Sequence, residues 1–491
     1  MTPHAAAAWA RCAAVLALAG TLAGCPVGQR VEDRQASVMP AIVSYKVQVR
    51  PRSVAVVMDV RRPQSGDLVV ALRDGSDTWT RIYDIQARAG EEILEVVATD
   101  DPGHWRVRGA NSRRISIRYL LVAEDHARVY TGDTAFLAYG RSLLLTPVGA
   151  AREATDEVWI EVEAGDWPVA TGWGRPDASF KSYDAVVDAV LLAGDWKLTD
   201  LSLDGVRVGI AIRGPWATDS GAVTGIRGLL RAIAESQTRV FGRYPSESLL
   251  LVVLPEETTT LIAGPRSLVL RCPQDEQPEK DLELALQIAE AHFRLWNGTR
   301  FSARQSDTAP FRQGHAAWFT EGASAWYGLR TAYEVGLLSA DQLLAMLNVW
   351  IAAYSAHPDA TQATMGDFET RYRQDPGIAQ LARLKGALLV ALMDIELRAD
   401  SGGARSFDLV MRQVAFDFTG AKLGYTTKDI QKIVVGVGGA KWETFFTQHV
   451  VGREPLPLTR LDRGGLIVLR GEDGVPKVTQ ATELFQDWFR P

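Results

Sequence analysis

The chain has 491 residues, of which 47% are hydrophobic and 23% charged, the balance of an ordinary globular protein with roughly two to four domains. A net charge of −6 over this length is mild, and it excludes the broad basic footprint of a nucleic-acid binder. The 14 tryptophans are scattered along the chain and read as core residues.

Arg11 precedes an apolar run from Cys12 to Leu22, which ends in Leu22-Ala23-Gly24-Cys25. Such a segment is too short to span a bilayer and reads as a secretory signal over residues 1–24. The Cys placed directly after Leu-Ala-Gly resembles a bacterial lipobox, which implies cleavage before Cys25 and acylation of its sulfur and new amino group. Several acyl chains, at about 0.8 kcal/mol per buried CH₂, give lasting membrane anchorage where one would not. Pro26, in place of an Asp, implies outer-membrane sorting toward the periplasm in a cell with two membranes. Residues 25–40 are polar and without periodicity, as in a tether. With Cys12 in the signal and Cys25 acylated, Cys272 stands alone and no internal disulfide is expected.

From 41 to 205 the pattern has period two. Tyr45-Lys46-Val47-Gln48-Val49, Arg114-Ile115-Ser116-Ile117-Arg118-Tyr119 and Val158-Trp159-Ile160-Glu161-Val162 alternate. Turn signals separate such segments at Arg73-Asp74-Gly75, Asp101-Pro102-Gly103 and Gly174-Arg175-Pro176, which predicts an antiparallel β-sandwich.

The period then changes. In 206–452, Ile226, Leu229, Leu230 and Ile233 fall at helical spacing, a buried strand is expected at Leu249–Leu254, and long helices are expected over 280–297, 316–335, 340–355 and 377–399. Ser339 to Gln342 is a capping box, Gly402-Gly403 a helix stop, and Tyr425-Thr426-Thr427-Lys428-Asp429 a helix start. Gly436-Val437-Gly438-Gly439-Ala440-Lys441 lacks the spacing of a phosphate loop and reads as a connection between helices. No G-x-S-x-G occurs. Residues 453–491 hold two strand-like runs and an amphipathic end, too little for a domain.

The segment 288–297 reads Ile-Ala-Glu-Ala-His-Phe-Arg-Leu-Trp-Asn. With Trp296-Asn297-Gly298, Trp318-Phe319-Thr320-Glu321-Gly322, Trp326-Tyr327-Gly328 and Gly336-Leu337-Leu338-Ser339 it resembles the glycyl aminopeptidase family of gluzincin (thermolysin-type) zinc peptidases. Tyr183–Asp188, Phe241-Gly242-Arg243-Tyr244-Pro245 and Asp394 … Arg398 … Ser401-Gly402-Gly403 … Ser406 extend the resemblance over about 42–462. It implies an α+β multidomain fold: an antiparallel β-sandwich followed by a thermolysin-like, mainly helical peptidase-type domain with a small sheet. Members of the family usually end in a PDZ domain, for which 453–491 is incomplete.

In that family two histidines of H-E-x-x-H and a downstream glutamate hold zinc, the intervening glutamate is the base, a later tyrosine stabilises the oxyanion, and a strand segment binds the substrate amine. Transferred position by position, the histidines become Glu290 and Arg294, the base becomes Ala291, and the tyrosine falls on Arg383. The amine-binding stretch becomes Ile262–Ser267, with Ala263 and Gly264 and no acidic residue. Only Glu321 keeps a ligand type. His292 lies about 200° round the helix from Glu290 and reads as structural; His315 precedes Glu321 and reads as a surface or packing residue. A guanidinium about 4 Å from a divalent cation costs roughly 8 kcal/mol at an effective dielectric of 20.

The resemblance therefore implies a degenerate, inactive member with no cofactor. In it Arg294 stands between Glu290 and Glu321 in place of zinc, at the base of a groove between the two domains. The competing expectation for Glu290 and Arg294 is a solvated i,i+4 pair unrelated to Glu321. The implied function is a lipid-anchored, non-catalytic envelope protein that takes a peptide or protein partner in the old cleft. An active metallo-aminopeptidase with atypical zinc ligands, and a purely structural envelope lipoprotein, are the alternatives.

Overall fold

The computed structural model describes residues 41–489 apart from 63–64, 73–76, 110–111, 125–127, 150–154, 182, 304–315, 373, 422 and 473. The signal, the tether with Cys25, and His315 lie outside the described residues. Pro40–Pro491 forms one compact unit. No helix among the described residues is long and apolar enough to cross a membrane.

The N-terminal part is sheet-rich, and its sheets are open. A seven-stranded sheet runs in the spatial order Asp177–Phe180, Thr155–Glu163, Ala41–Arg50, Ser53–Arg61, Arg114–Leu121, Ile82–Ala89, Glu92–Leu94. Its alternation comes from one buried face: Val43, Tyr45, Val47, Val56, Met58, Ile117 and Ile160 enter the core while their neighbours point outward. One feature departs from an all-antiparallel sandwich. Ala41–Arg50 pairs in parallel with Thr155–Glu163, because the chain crosses the second layer before it returns.

A four-stranded sheet containing Ala135–Tyr139 and Val190–Gly194 is buried on both sides, which explains why these strands are apolar throughout. Phe136, Ala138, Leu191 and Ala193 face the sandwich core. Ala135, Leu137, Val190 and Leu192 pack against Ala211, Leu250, Val252 and Val269 of a second, five-stranded sheet. That sheet already includes Lys197–Leu203, whose hairpin with Val206–Ile212 straddles residue 205. Its edge strands are Lys197–Leu203 and Thr260–Gly264.

The rest is mainly helical. Asp219 caps Ser220–Phe241, Ser339 and Gln342 form the capping box of Ala340–Ala356, and Gly402, at φ 59°, ends Pro376–Ser401. Thr426 opens Thr427–Gly438 with its own capping box; Gly436, Val437 and Gly438 form its last turn and Lys441 begins the next helix, so the connection expected over 436–441 is only Gly439 and Ala440. The segment expected helical over 280–297 is shorter, Leu282–Phe293, with Arg294 as its C-cap. The chain turns there because the Asn297 amide donates to the carbonyls of Phe319 and Thr320, tying the turn to the next helix. The last residues form a hairpin, Leu466–Arg470 with Pro476–Ala481, and a short helix, Glu483–Phe489.

Candidate functional site

Three helices supply the site: Leu282–Phe293 with Glu290, Ala317–Glu334 with Glu321, and Pro376–Ser401 with Arg383. The Glu290 helix is pinned on two sides. Leu284, Ala285, Ile288, Ala289 and Ala291 pack on the five-stranded sheet, while Phe293 enters the helical core. Glycines then let the other helices come close. A Cβ at Gly328 would lie 3.0 Å from the Glu290 backbone nitrogen, and the Glu321 and Arg383 helices touch through Gly322 and Gly386.

At the convergence, Arg294 Nη2 donates to Glu290 Oε1 at 2.7 Å and to Glu321 Oε2 at 2.5 Å. Arg383 grips the same Glu290 with two bonds, Nε to Oε1 at 3.1 Å and Nη2 to Oε2 at 2.6 Å. Two carboxylates and two guanidinium groups thus form a neutral cluster. The carboxylates are mostly buried, at 14% and 20% exposure; the arginines are about a third exposed. Burial alone would lower the Arg383 pKa, but the hydrogen bond to Glu290 and the fields of Glu290 and Glu321 raise it. Arg294 also lies at a helix C-terminus, where a cation is favoured.

The cluster forms one wall of an open cleft of about 480 Å³, whose lining includes Leu261, Ala263, Gly264, Ala291, Asn297 and Thr320. Every lining residue falls between 261 and 383. The expected groove between the two domains is therefore a cleft within the second part alone, because the edge strand Thr260–Gly264, and not the sandwich, faces the Glu290 helix.

Of the residues singled out from the sequence, Glu290, Ala291, Arg294, Glu321, Arg383, Ala263 and Gly264 line this cleft. His292 does not. It is fully buried on the far side of its helix, where Nδ1 donates to Gln237 Oε1 at 2.8 Å and Nε2 accepts from the Tyr244 hydroxyl at 2.9 Å. This assignment follows from the Gln237 amide, which already donates to Ala289 and Thr331. Desolvation lowers the His292 pKa to about 3, so the ring is neutral.

Asn297, Thr320 and Tyr425 were not singled out as site residues. The Tyr425 hydroxyl donates to Asn297 Oδ1 at 2.9 Å and lies 2.8 Å from Thr320 Oγ1, which fixes the start of the Glu321 helix. The buried Asn after Trp296 was a usable signal; its partner Tyr425, 128 residues on, was not.

A zinc site of the family kind does not fit these side chains. Glu290 and Glu321 are the only carboxylates in the cluster, a guanidinium sits between them, and no group of three His, Cys, Asp or Glu gathers among the described residues. No family model and no curated protein matches the sequence. A solved structure does: an aminopeptidase N family protein from Idiomarina loihiensis, at 18% identity and a TM-score of 0.74, over 90% of this chain and 82% of that one. The fold is aminopeptidase N-like. At that identity the likeness establishes architecture: a sheet-rich N-terminal part followed by a peptidase-like helical part.

Proposed function

We propose that this chain is a non-catalytic relative of the gluzincin aminopeptidases, held at the bacterial envelope by acyl chains on Cys25, and that its cleft receives a peptide or a protein segment without cutting it. One observation carries the reading: the Arg294 guanidinium bridges Glu290 and Glu321, at the positions where the resemblance puts a zinc ligand and another zinc ligand. A cation fixed between the two carboxylates supplies the charge that a metal would supply, yet it has no open coordination position at which to polarise water. Ala291, where the family has its general base, carries no proton acceptor. The exposed backbone of Thr260–Gly264 offers an extended segment a strand to pair with.

Metal analysis of the purified protein, with hydrolysis of amino-acyl amides in the presence and absence of chelator, tests the catalytic half. The expected result is no stoichiometric transition metal and no chelator-sensitive turnover; either one overturns the reading in favour of an active enzyme with atypical ligands. Replacement of Ala263 by Trp, which fills the cleft wall, tests the binding half. Loss of partner capture from solubilised membranes is expected, and retention would favour a structural role through other surfaces. Incorporation of labelled palmitate that Cys25→Ala abolishes is the expected sign of the anchor.

A further inference from the structure

The outward face of the seven-stranded sheet carries an arginine cluster that the cleft does not use. Strand register sets its layout. Arg61 lies directly opposite Arg114, with Ile42 on the other side of Arg61. The next row runs Ser179, Trp159, Ser44, Asp59, Ser116, Arg88, Ile93. Arg118 follows, between Val57 and Gln86. Neighbouring strands are about 4.8 Å apart and successive residues of one face about 6.6 Å, so Arg61 and Arg114 are adjacent, Arg88 lies one row on from Arg114, and Arg118 lies two rows on. Like charges directly opposite destabilise a sheet. Even so, none of the four has a hydrogen-bond or ion-pair partner among the described residues, and Arg61 Nε is buried without an acceptor.

Small residues make the middle of this face hollow. Ser44 and Ser116 floor an open concavity of about 490 Å³ rimmed by Arg61, Arg88 and Arg114. The one carboxylate within it is Asp59; Glu157 and Glu161 stand further off, on Thr155–Glu163. On either side of the hollow in this row are exposed apolar side chains, Trp159 at 48% and Ile93 at 72%. Three arginines around a hollow, with a fourth two rows on from Arg114 and an aromatic and an aliphatic group exposed on either side, match a surface of anionic headgroups over an apolar layer. The strand Ala41–Arg50 starts at the arginine end of the face, beside Arg61.

We infer that this face docks on a membrane surface of anionic phospholipids, with headgroup phosphates on Arg61, Arg88 and Arg114. The docking is independent of the acyl anchor and of the cleft. It sets which way the body lies on the membrane.

The test uses the compact unit Pro40–Pro491 without its acylated segment. Its sedimentation is measured with vesicles of phosphatidylcholine alone and of equal parts phosphatidylcholine and phosphatidylglycerol. Binding to the mixed vesicles only, weakened by salt, is expected, with a loss of about five-fold for each arginine removed in Arg61→Ala and Arg114→Ala. Arg231→Ala, an exposed arginine of the helix Ser220–Phe241, should bind as the parent does. Unchanged melting of each variant separates lost docking from lost folding. No binding to the mixed vesicles, equal binding by the double variant, or arginine-dependent binding of inorganic phosphate without vesicle binding overturns the inference.

Discussion

Gly322 and Gly386 bring two helix backbones into direct contact. A Cβ on Gly322 would fall well inside 3 Å of the Gly386 carbonyl carbon, and one on Gly386 would collide with the Trp318 carbonyl. This crossing puts Glu321 and Arg383 on the same wall of the cleft, so the ionic cluster rests on it.

Gly322→Ala and Gly386→Ala should each destabilise the protein by about 2 kcal/mol or more, because the obstacle is backbone and cannot rotate away. Urea unfolding measures the loss. Gly402→Ala is a useful contrast: nothing stands within 4 Å of its Cβ, and its cost should come only from the positive φ.

The cluster also predicts where a metal goes if the donors are restored. Glu290→His with Arg294→His places two imidazoles one helical turn apart and facing Glu321, a set of three donors with room for water. Stoichiometric zinc in the double variant, and none in the parent, is the expected outcome of competition titration with a chromophoric chelator. Adding Arg383→Tyr should tighten zinc binding, since it removes a fixed cation from beside the ion. A double variant that takes up no zinc would show that these three positions do not share a metal's coordination sphere.

His292 gives stability a pH dependence. Burial holds its pKa at about 3, against roughly 6.5 in the unfolded chain. Below that value the unfolded state binds a proton that the folded state refuses. Stability from this residue is therefore complete above pH 6.5 and falls as pH drops, by about 1.4 kcal/mol per unit at most, toward pH 3. Urea midpoints between pH 7 and 5, ahead of most carboxylate titration, should show the slope. His292→Gln should be less stable at pH 7 and flatter across that range.

Arg330 is the cation of a more deeply buried network. It reaches Glu334 at 2.6 Å and Asp408 at 2.6 and 3.1 Å, and lies 3.5 Å from Asp394, which Arg398 also holds. Burial would raise the Asp408 pKa, but the field and bonds of Arg330 drive it well below the usual carboxylate range. Arg330→Met leaves these carboxylates without their shared partner and should cost about 3–5 kcal/mol. The Asp408 share is present above about pH 4 and lost below it, so the variant's deficit should shrink in acid.

Much of this architecture was legible along the chain. The change of period near residue 220, the caps at Ser339 and Thr426 and the stop at Gly402 are local signals, and local geometry honours them. The same holds for His292: helical angle alone turned it away from Glu290, and it lies against Gln237 and Tyr244. The parallel pairing of Ala41–Arg50 with Thr155–Glu163 was not legible, because alternation tells a strand which face to bury and not which neighbour to choose.

The sequence by itself determined that Glu290 and Arg294 share one side of a helix, since that depends only on 3.6 residues per turn. It also set Arg114 and Arg118 on the face opposite Ile115 and Ile117, since that depends only on alternation along a strand. Tertiary structure alone decided that Arg294 reaches Glu321, 27 residues on, and that Arg383, 93 residues from Glu290, closes the same cluster. Those contacts follow from how closely three helices cross, and crossing distance is set where backbones meet at glycines, not by any pattern along a single helix.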